Sequence, residues 1–457
     1  MRTSVLSAVS AFFGGAPMAA GLLLMGAAAS IRLRLFPVRR AKAWLFATAG
    51  HLRSEQRADG LSPRQAAAAA LAATVGTGNI AGVAAAIALG GPGAVFWMWC
   101  SAVLGMATAY CENYLGIFYR TRAPGGIWRG GPMAYMERGV RSRALAAAYA
   151  LGVAAASLGI GSSVQTNSIA AGLYTAFSVP LPLTGAACAG LALLVALGGV
   201  RRVGAVAERL VPCMVGLYVL AGCVCLAMHV RALPGALGLI FREAFSLRAG
   251  VSGAGCGMLL ALKTGVTRGV FSNEAGLGTT VLVGAQAEVD DPEAAGMWAV
   301  FDVFVDTLVV CSMTALVILT SGVYAPDAYR AAYDAVGAPG GPLTGAALTS
   351  AAFSATFGPW GGRLVAVCLA AFAFSTVLTW TWYGRAAAEY VFGPRAGAVF
   401  LPAFALAVWA GSVLPVDRAW TLADIGNGLM AVPNLIAVGL LLRVVRVPAR
   451  HEKAAAP

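Results

Sequence analysis

Long apolar runs recur from one end of this sequence to the other. A helix of about 20 apolar residues is long enough to cross a hydrocarbon core of about 30 Å. The strands of an outer-membrane barrel would instead alternate in hydrophobicity over about 10 residues, and the sequence shows no such segments. A content of 59% hydrophobic and 11% charged residues, with a mean hydropathy of +0.77, excludes an ordinary soluble globular protein. These features predict an all-α polytopic membrane protein.

The apolar runs predict eleven transmembrane helices. Their approximate bounds are 15–36, 66–89, 94–119, 145–177, 181–199, 205–229, 251–284, 296–321, 363–383, 396–414 and 425–445. A signal peptide is the alternative for the first run, but its basic residues lie mainly at and after its end, which favours a retained helix. Two further stretches, 232–247 and 324–335, are too short or too polar to span the membrane. They are predicted to be amphipathic helices at the external interface.

Basic residues are distributed unevenly between the loops. With the N-terminus outside, 23 of the 32 Lys and Arg residues lie in predicted cytoplasmic loops and 7 in external ones, the usual bias of membrane proteins. The other two, Lys263 and Arg268, lie within a span. The loop 285–295 departs from this bias, because it is predicted to be cytoplasmic and carries four acidic residues and no base. The pattern predicts a multi-pass cell-membrane protein with a cytoplasmic C-terminus, and it explains the +13 charge without nucleic acid.

Chemistry-bearing motifs are scarce. The cysteines lie in apolar segments without CxxC pairs, and three histidines offer little for a proton relay or a metal site. No GxxxxGK[ST] loop for ATP is present. A membrane-embedded enzyme would need His, Asp or Glu converging on a cavity. The sequence supplies carboxylates without an accompanying base or metal set, so no enzyme is predicted.

Two predicted spans carry glycines and small polar residues at mid-span, ATVGTGNIAG at 73–82 and GVFSNEAGLG at 269–278. Unwinding there frees backbone groups that cost several kcal/mol each in lipid unless protein, water or a ligand binds them. Free amides attract a carboxylate, and carbonyl and hydroxyl groups can replace the hydration shell of a small cation. The alternative is that the glycines only allow close helix packing.

The two interruptions lie about 195 residues apart, and each opens a block of five spans. Because five is odd, the second block enters the membrane from the opposite side, which is typical of an inverted-repeat transporter. This favours alternating access over a continuous channel. The predicted divisions are an N-terminal helix and cytoplasmic loop (1–64), a first repeat (65–229), an external interfacial segment (230–250), a second repeat (251–446) and a cytoplasmic tail (447–457).

Further motifs make the sequence similar to a known family. GTGNIAGVAAAIALGGPGAVFWMW at 76–99 closely resembles the alanine/glycine:cation symporter family. So do, in the family's order, GGPMAYMERG (130–139), VQTNSIA (164–170), TRGVFSNEAGLGT (267–279), FSTVLTWTWYG (374–384) and DIGNGLMAVPN (424–434). The resemblance implies a leucine-transporter-like (LeuT-like) core of ten helices in a 5+5 inverted repeat, preceded by one additional helix.

The resemblance also implies the site residues. Substrate binding is expected at residues of the two interruptions, helix four and helix nine, namely Thr77, Gly78, Asn79, Gln165, Phe271, Asn273 and Trp380. Cation binding is expected at Thr74, Gly76, Ser375 and Thr376. Three positions depart from the family pattern and put the substrate range in doubt. Thr267 stands where Lys is expected, Thr379 where Gly is expected beside the pocket tryptophan, and Arg385 where an acidic residue is expected.

Ionisable residues within spans are expensive and usually face a partner or a water-filled path. Asp302 and Asp306 lie at i and i+4, hence on one helix face. The structural interpretation pairs one of them with Lys263, and cation coordination or gating is the alternative. Arg268 and Glu274 flank the second interruption and are the candidate gating pair. Glu112 is a further intramembrane carboxylate.

These features together predict a secondary active transporter. It would carry a small neutral amino acid, alanine or glycine, into the cell with Na⁺ as the coupling ion. The alternatives are a proton-coupled carrier of another small metabolite and, more remotely, a membrane-embedded enzyme. The residues alone do not decide between Na⁺ and H⁺ coupling, the preferred amino acid or enantiomer, the stoichiometry or the oligomeric state.

Overall fold

The computed structural model describes residues 12–13, 15–48, 61–122, 128–246, 257–326, 328 and 343–448, and these residues are almost entirely helical. Within these ranges the one sheet is a short antiparallel hairpin of β1 (Thr121–Arg122) and β2 (Trp128–Arg129). The helices up to residue 244 are α1 (Ala16–Arg32), α2 (Phe36–Arg39), α3 (Ala41–Thr48), α4 (Pro63–Thr74), α5 (Val83–Gly90), α6 (Gly93–Phe118), α7 (Pro132–Arg138), α8 (Arg143–Leu158), α9 (Gln165–Phe177), α10 (Leu181–Ala196), α11 (Gly199–Met228) and α12 (Leu233–Ala244).

The second part of the chain continues the same architecture. Its helices are α13 (Gly257–Asn273), α14 (Thr280–Gly284), α15 (Pro292–Val303), α16 (Ser312–Thr320), α17 (Gly345–Phe357), α18 (Pro359–Phe392), α19 (Ala396–Gly411) and α20 (Val416–Leu441). Wide π-type turns join some of these helices into longer units, at Gly78–Gly82 before α5, at Gly159–Val164 between α8 and α9, and at Phe304–Cys311 between α15 and α16. Such turns are frequent at functional sites.

Each of the eleven predicted apolar segments contains a helix, and the second and seventh contain two helices separated by a break. The predicted interfacial helix at 232–247 corresponds to α12, whose buried residues Ala236, Ile240 and Ala244 recur every four positions as in an amphipathic helix. Most of the other predicted interfacial stretch, 324–335, lies outside the described residues. The sequence reasoning missed α7 and α17, which are too short to register as spans.

Six of the described helical units are long and apolar enough to cross a membrane, and the bent α4–α5 unit makes a seventh. The six are Gly93–Phe118, Arg143–Phe177, Gly199–Met228, Pro292–Thr320, Pro359–Phe392 and Ala419–Leu441. Three shorter helices, α1, α10 and α19, are also apolar. The protein is therefore a multi-pass membrane protein.

Helix α18 is the central element of the bundle. Of its membrane-length window 72% is buried, the largest share among the six long units, and its aromatic side chains Phe372, Trp380 and Tyr383 are fully buried. It packs against α4, α8, α9, α11, α17 and α19. By contrast, leucines such as Leu217 and Leu220 of α11 are exposed, as expected for a face that contacts lipid. The arrangement places α18 next to both halves of the chain.

Two sets of contacts bear on the predicted topology. The Arg32 guanidinium at the end of α1 donates to the carbonyl oxygens of Leu442, Arg443 and Val445, so the ends of α1 and α20 lie on the same face. That shared face is what the predicted N-out, C-in arrangement requires.

The acidic loop 285–295 lies against the basic hairpin. The Arg120 guanidinium donates to the carbonyl oxygens of Ala285 and Ala287, and Glu288 contacts Arg122 and Trp128. Burial lowers the pKa of Arg120, and the nearby acidic side chains oppose that shift. The acidic loop 285–295, which departs from the charge bias, therefore lies on the same side of the protein as the basic hairpin, which follows that bias.

Close helix packing in this fold depends on glycine at several crossings. A Cβ atom added at Gly265 of α13 would lie 2.2 Å from the backbone oxygen of Ala94 in α6, far inside contact distance. At Gly216 of α11, by contrast, nothing lies within 4 Å of an added Cβ atom. Backbone atoms cannot swing aside as side-chain tips can, so the first position has no room and the second has ample room.

We therefore expect Gly265→Ala to destabilise the protein by about 1–3 kcal/mol, because α13 must move away from α6. The matched control is Gly216→Ala, which should leave stability unchanged or slightly raised, since alanine favours helix. The measurement is the apparent melting temperature of each purified variant in detergent. Equal melting temperatures for the two variants would contradict the packing described for α13 and α6.

Candidate functional site

The first break separates α4 from the π turn at Gly78. The helix ends at Thr74, Val75 adopts an extended conformation, and the segments Arg64–Thr74 and Gly78–Gly90 bend by 44°. The predicted interruption at 73–82 is thus present. All of its residues are buried, so the backbone groups that it frees must find partners inside the protein.

The second break lies between α13 and α14. Its backbone turns through left-handed conformations at Glu274 (φ 55°), Gly276 (φ 94°) and Gly278 (φ 73°) before α14 begins at Thr280. Glycine adopts such angles without strain, whereas at Glu274 they cost about 1 kcal/mol or more. The glycines of the second motif therefore allow the helix to unwind, and Glu274 must be held by its contacts.

The two breaks lie against each other. A Cβ atom added at Gly78 would come within 2.9 Å of the Ser272 Cα atom and 3.2 Å of the Phe271 ring. Glycine at this position allows the first break to touch the end of α13. The structure therefore brings together the two segments that the sequence predicted as one site.

Backbone amides of the first break are bound by side-chain oxygens. The Gly76 amide donates to Asn79 Oδ1 over 2.9 Å, and the Thr77 amide donates to Gln165 Oε1 over 3.2 Å. The Thr77 hydroxyl is fully buried and has no hydrogen-bond partner among the residues that the structure describes. A buried polar atom without a partner is uncommon and often marks a ligand or water site. The Gly76 and Thr77 backbone amides and the Thr77 hydroxyl thus lie together at the predicted substrate residues Thr77 and Asn79.

Asp306, in the π turn between α15 and α16, joins the two breaks. Its Oδ1 accepts from Asn79 Nδ2 at 2.7 Å, and its Oδ2 accepts from the hydroxyls of Ser272 and Thr307, each at 2.8 Å. The side chain is fully buried. All these donors are neutral, and no Lys or Arg of the described residues forms an ion pair with Asp306. A buried carboxylate without an opposite charge is costly, so this place favours a cation.

The predicted pairing of Asp302 or Asp306 with Lys263 is wrong for Asp306. Its partners lie on the two breaks and on its own turn, whereas Lys263 lies near Asp424 of α20. Asp302 is buried one turn earlier and lines a separate small cavity with Asn113. Asp302 and Asp306 lie on the same helix face, so the sequence alone could not show which of the two carboxylates would contact the breaks.

The predicted cation residues form a second cluster, on the other side of the first break. The hydroxyls of Ser375 and Thr376 both donate to the carbonyl oxygen of Ala72, over 3.2 and 3.1 Å. Thr376 also lies beside Gly76, where an added Cβ atom would meet its Oγ1 at 2.5 Å. The Thr74 hydroxyl bonds within its own helix, to Leu71. Of these four residues, Thr376 meets Gly76, and Ser375 joins Thr376 at the Ala72 carbonyl oxygen.

Aromatic rings enclose the breaks. The Phe271 ring packs against Trp420 of α20 at 4.7 Å between centroids, next to Gly78. The Trp380 ring covers Gly161, where an added Cβ atom would come within 2.5 Å, and its Nε1 donates to Glu274 Oε1 over 3.0 Å. Both predicted pocket aromatics are thus buried beside the breaks.

Other predicted residues have structural partners. Asn273 donates to the Thr307 hydroxyl over 3.0 Å and accepts from the Ala275 amide, which places it next to the Asp306 junction. The candidate gating residues do not contact each other. Arg268 lies 3.8 Å from an Asp424 oxygen and stacks over Trp420, whereas Glu274 accepts from Thr279 and Trp380.

Two of the departures from the family pattern have clear local roles. The Thr379 hydroxyl donates to the Ala69 carbonyl oxygen over 3.3 Å, so it faces α4 and ties α18 to it. Arg385 forms an ion pair with Glu389 one turn later, at 2.7 Å. Thr267 donates to the carbonyl oxygen of Lys263 within α13.

Sequence reasoning missed several residues of this centre. It considered Asp306 as a structural partner of Lys263, with cation coordination or gating as the alternative, and it did not single out Ser272, Thr307 or Asn434. The signal available in the sequence was the intramembrane carboxylate itself, together with the DIGNGLMAVPN motif that contains Asn434. No group of three His, Cys, Asp or Glu residues able to hold a metal ion occurs in the ranges that the structure covers. A small hard cation would therefore be held by hydroxyl, amide and carbonyl oxygens with Asp306.

Comparison with known proteins confirms the resemblance. The model of the sodium:alanine symporter family matches residues 1–453. The chain is 40% identical to the sodium/alanine symporter AgcS of Methanococcus maripaludis, over 97% of this chain and 95% of that one. It is 36% identical to the amino-acid carrier protein AlsT of Bacillus subtilis, over 84% of this chain and 79% of that one.

Among solved structures, the complex of MhsT with L-phenylalanine superposes with a TM-score of 0.59 at 17% identity, covering 85% of this chain and 90% of MhsT. Similarity at that identity shows the fold alone. Because the family model covers nearly the whole chain and AgcS matches it at 40% identity, the protein belongs to the sodium:alanine symporter family of amino-acid transporters.

Proposed function

We propose that this protein is a sodium-coupled symporter that carries a small neutral amino acid, alanine or glycine, into the cell by alternating access. The observation that carries the proposal is the position of Asp306. Its carboxylate binds Asn79 of the first break and Ser272 of the second, and it has no basic partner among the described residues. A bound cation would neutralise Asp306 and at the same time fix the two breaks relative to each other.

The coupling follows from shared contacts. Asn79 Nδ2 donates to Asp306, while Asn79 Oδ1 holds the Gly76 amide. A cation at Asp306 therefore orders the first break in the shape that presents its amides. If the cation and the amino acid each favour the same shape, each raises the affinity for the other by the same factor. The cluster of Gly76, Ser375 and Thr376 is proposed as a second cation site, as the family resemblance implies.

The amino acid is proposed to bind at the first break. Its carboxylate would take the place of Gln165 Oε1 at the Thr77 amide, and the Thr77 hydroxyl would donate to it, while Asn79 keeps its hold on the Gly76 amide. Phe271 and Trp380 lie directly against glycines of the breaks and of α8–α9, which leaves room for a small side chain only. This closeness supports alanine or glycine as cargo.

The finer topology is part of the proposal. Eleven spans in the cell membrane, with the N-terminus outside and the C-terminus cytoplasmic, accommodate the six long helical units, the two broken ones and the three shorter apolar helices. The two five-helix repeats would occupy 65–229 and 251–446. Each repeat would then begin with a broken helix, and the two breaks, which lie against each other at Gly78 and Ser272, would lie near mid-membrane.

Arg268, Asp424 and Trp420 are proposed as the external gate. The Arg268 guanidinium stacks over Trp420 at 4.3 Å, and Trp420 covers Phe271. In the proposed topology these residues lie on the external side of the breaks. Separating Arg268 from Asp424 would free Trp420 and open the path to the site. Glu274 would act on the opposite side of the breaks, through the hydrogen bond that it accepts from Trp380.

A proton is the alternative coupling ion, and the same residue supports it. Asp306 is a carboxylate, so protonation would neutralise it as effectively as Na⁺ does. The two possibilities differ in the gradient that drives uptake.

The first test is uptake of labelled alanine by proteoliposomes that contain the purified protein. We expect a sodium gradient to drive accumulation and a pH gradient alone to have no effect. Liposomes without protein are the control. Failure of sodium to stimulate uptake of any small neutral amino acid would overturn the proposal, while uptake driven by a pH gradient alone would establish the proton alternative.

The second prediction concerns Asp306→Asn, which keeps the shape and removes the charge. We expect the Na⁺ concentration for half-maximal uptake to rise roughly tenfold or more, because one carboxylate contributes more than 1.4 kcal/mol to holding a nearby cation. Sodium titration of alanine uptake measures it. Asp302→Asn, one turn away and outside the junction, is the matched control and should change the value by less than about threefold. An unaltered sodium requirement in Asp306→Asn would leave Asp306 a structural residue.

The third prediction concerns the gate. We expect Arg268→Gln to lower the maximal uptake rate roughly tenfold, since closure loses its ion pair and its stacking contact. Trp420→Ala should lower the rate similarly, and the double variant should be little worse than either one, because both changes disable one contact. Arg363→Gln is the control, as Arg363 also stacks over a tryptophan, Trp360, at 5.0 Å but lies elsewhere. Fully additive effects of the two gate variants would contradict a common gate.

A further inference from the structure

Glu112 lies in the C-terminal half of α6 and is fully buried. Its Oε1 accepts from Asn434 Nδ2 over 2.5 Å, and its Oε2 has no hydrogen-bond partner among the described residues. Neither the proposed substrate site nor the proposed cation sites include it. A buried carboxylate within a membrane-spanning helix is costly, so the groups around it matter.

Glu112 reaches the unwound backbone of the second break through Asn434. Asn434 Nδ2, which donates to Glu112 Oε1, also donates to the Gly276 carbonyl oxygen over 2.9 Å. Asn434 Oδ1 lies 2.7 Å from the place that a Cβ atom at Gly278 would take, so Asn434 packs directly against this backbone. In lipid, a free backbone carbonyl has no water to bind, so Asn434 takes the place of the missing helical bond.

Tyrosines complete this cradle. The Tyr135 hydroxyl, from α7, donates to Asn434 Oδ1, and the Tyr149 hydroxyl, from α8, donates to the Leu277 carbonyl oxygen over 3.0 Å. Both tyrosines are fully buried. Tyr149 of α8 and Asn434 of α20 thus bind this stretch of backbone, while Glu112 of α6 and Tyr135 of α7 hold Asn434 in place.

The chemistry of the cradle favours a carboxylate at position 112. A carboxylate offers two acceptor oxygens, whereas an amide side chain offers one acceptor oxygen and one NH₂ donor, so glutamine at 112 could accept from Asn434 in only one of its two orientations. A carboxylate also binds an amide donor such as Asn434 Nδ2 more strongly than a neutral acceptor does.

We infer that Glu112 and Asn434 are positioning residues that fix the second break and, through it, the substrate-facing residues Phe271 and Asn273. Asn273 is the last residue of α13, and the break begins directly after it. If the loop from Glu274 to Gly278 shifted, the end of α13 would lose its fixed position against Gly78. Only the effect on transport rests on the proposed function, because Glu112 and Asn434 fix the backbone whether or not a substrate is bound.

Hydrogen exchange of the purified full chain in detergent tests directly whether Glu112 and Asn434 fix the backbone of the second break. In Glu112→Gln we expect the amides of 274–279 to exchange roughly tenfold faster or more than in the unaltered protein, with no change in 75–82, because a charged hydrogen-bond acceptor is lost at that place alone. Tyr149→Phe removes only one hydroxyl and should loosen the same segment. Tyr218→Phe is the matched control, because its buried hydroxyl bonds Thr314 of α16 instead.

The transport consequence is a rise of roughly tenfold in the KM for alanine in Glu112→Gln, with a wild-type melting temperature. Unchanged exchange at 274–279 in both Glu112→Gln and Tyr149→Phe would overturn the inference, as would faster exchange throughout the protein, which indicates general destabilisation. Failure of the unaltered protein to take up alanine would overturn the proposed function and leave the exchange result standing. The two ideas therefore fail separately.

Discussion

A backbone amide or carbonyl that leaves a helix inside a membrane has no water to bind, so the protein must supply every partner. The centre of this structure follows from that constraint. Hydroxyls of Thr314 and Thr349 bind the carbonyl oxygens of Asn79 and Ile80 at the first break. At the second break, Asn434 and Tyr149 bind the carbonyl oxygens of Gly276 and Leu277, and Glu112 holds Asn434. Helices from the whole chain thus converge on two short unwound segments, and a ligand that binds either segment acts on elements throughout the bundle.

Charge organises this centre as strongly as hydrogen bonding. Arg268 and Asp424 face each other, whereas Asp306 and Glu112 are buried without a basic partner in the part of the chain described here. The two lone carboxylates differ in their surroundings. Asp306 receives hydroxyl and amide donors from both breaks, whereas Glu112 receives a hydrogen bond from Asn434 Nδ2, which also binds the Gly276 carbonyl oxygen. Residues of one chemical type therefore serve different purposes according to which segments they join.

Some site residues were predictable from the sequence because the local pattern has one physical explanation. Glycines at mid-span predicted both breaks, and Gly276 and Gly278 do adopt left-handed angles that side chains avoid. The orientation of Thr379 was not predictable. It stands where Gly is expected beside the pocket tryptophan, yet its hydroxyl faces Ala69 of α4. Which side of a helix faces which neighbour depends on packing between distant segments, and no local pattern contains that information.

The sequence by itself determined the membrane class, a helix for each apolar run, the two breaks and the family, because hydrophobic length, glycine content and motif order are properties of contiguous residues. Only the tertiary structure decided that Asp306 joins the two breaks and does not pair with Lys263, that Arg268 pairs with Asp424, and that Glu112 reaches the second break through Asn434. These contacts join residues far apart in the chain. The physical reason is that a buried polar group takes the partner that folding brings nearest, and that choice is made by the whole bundle.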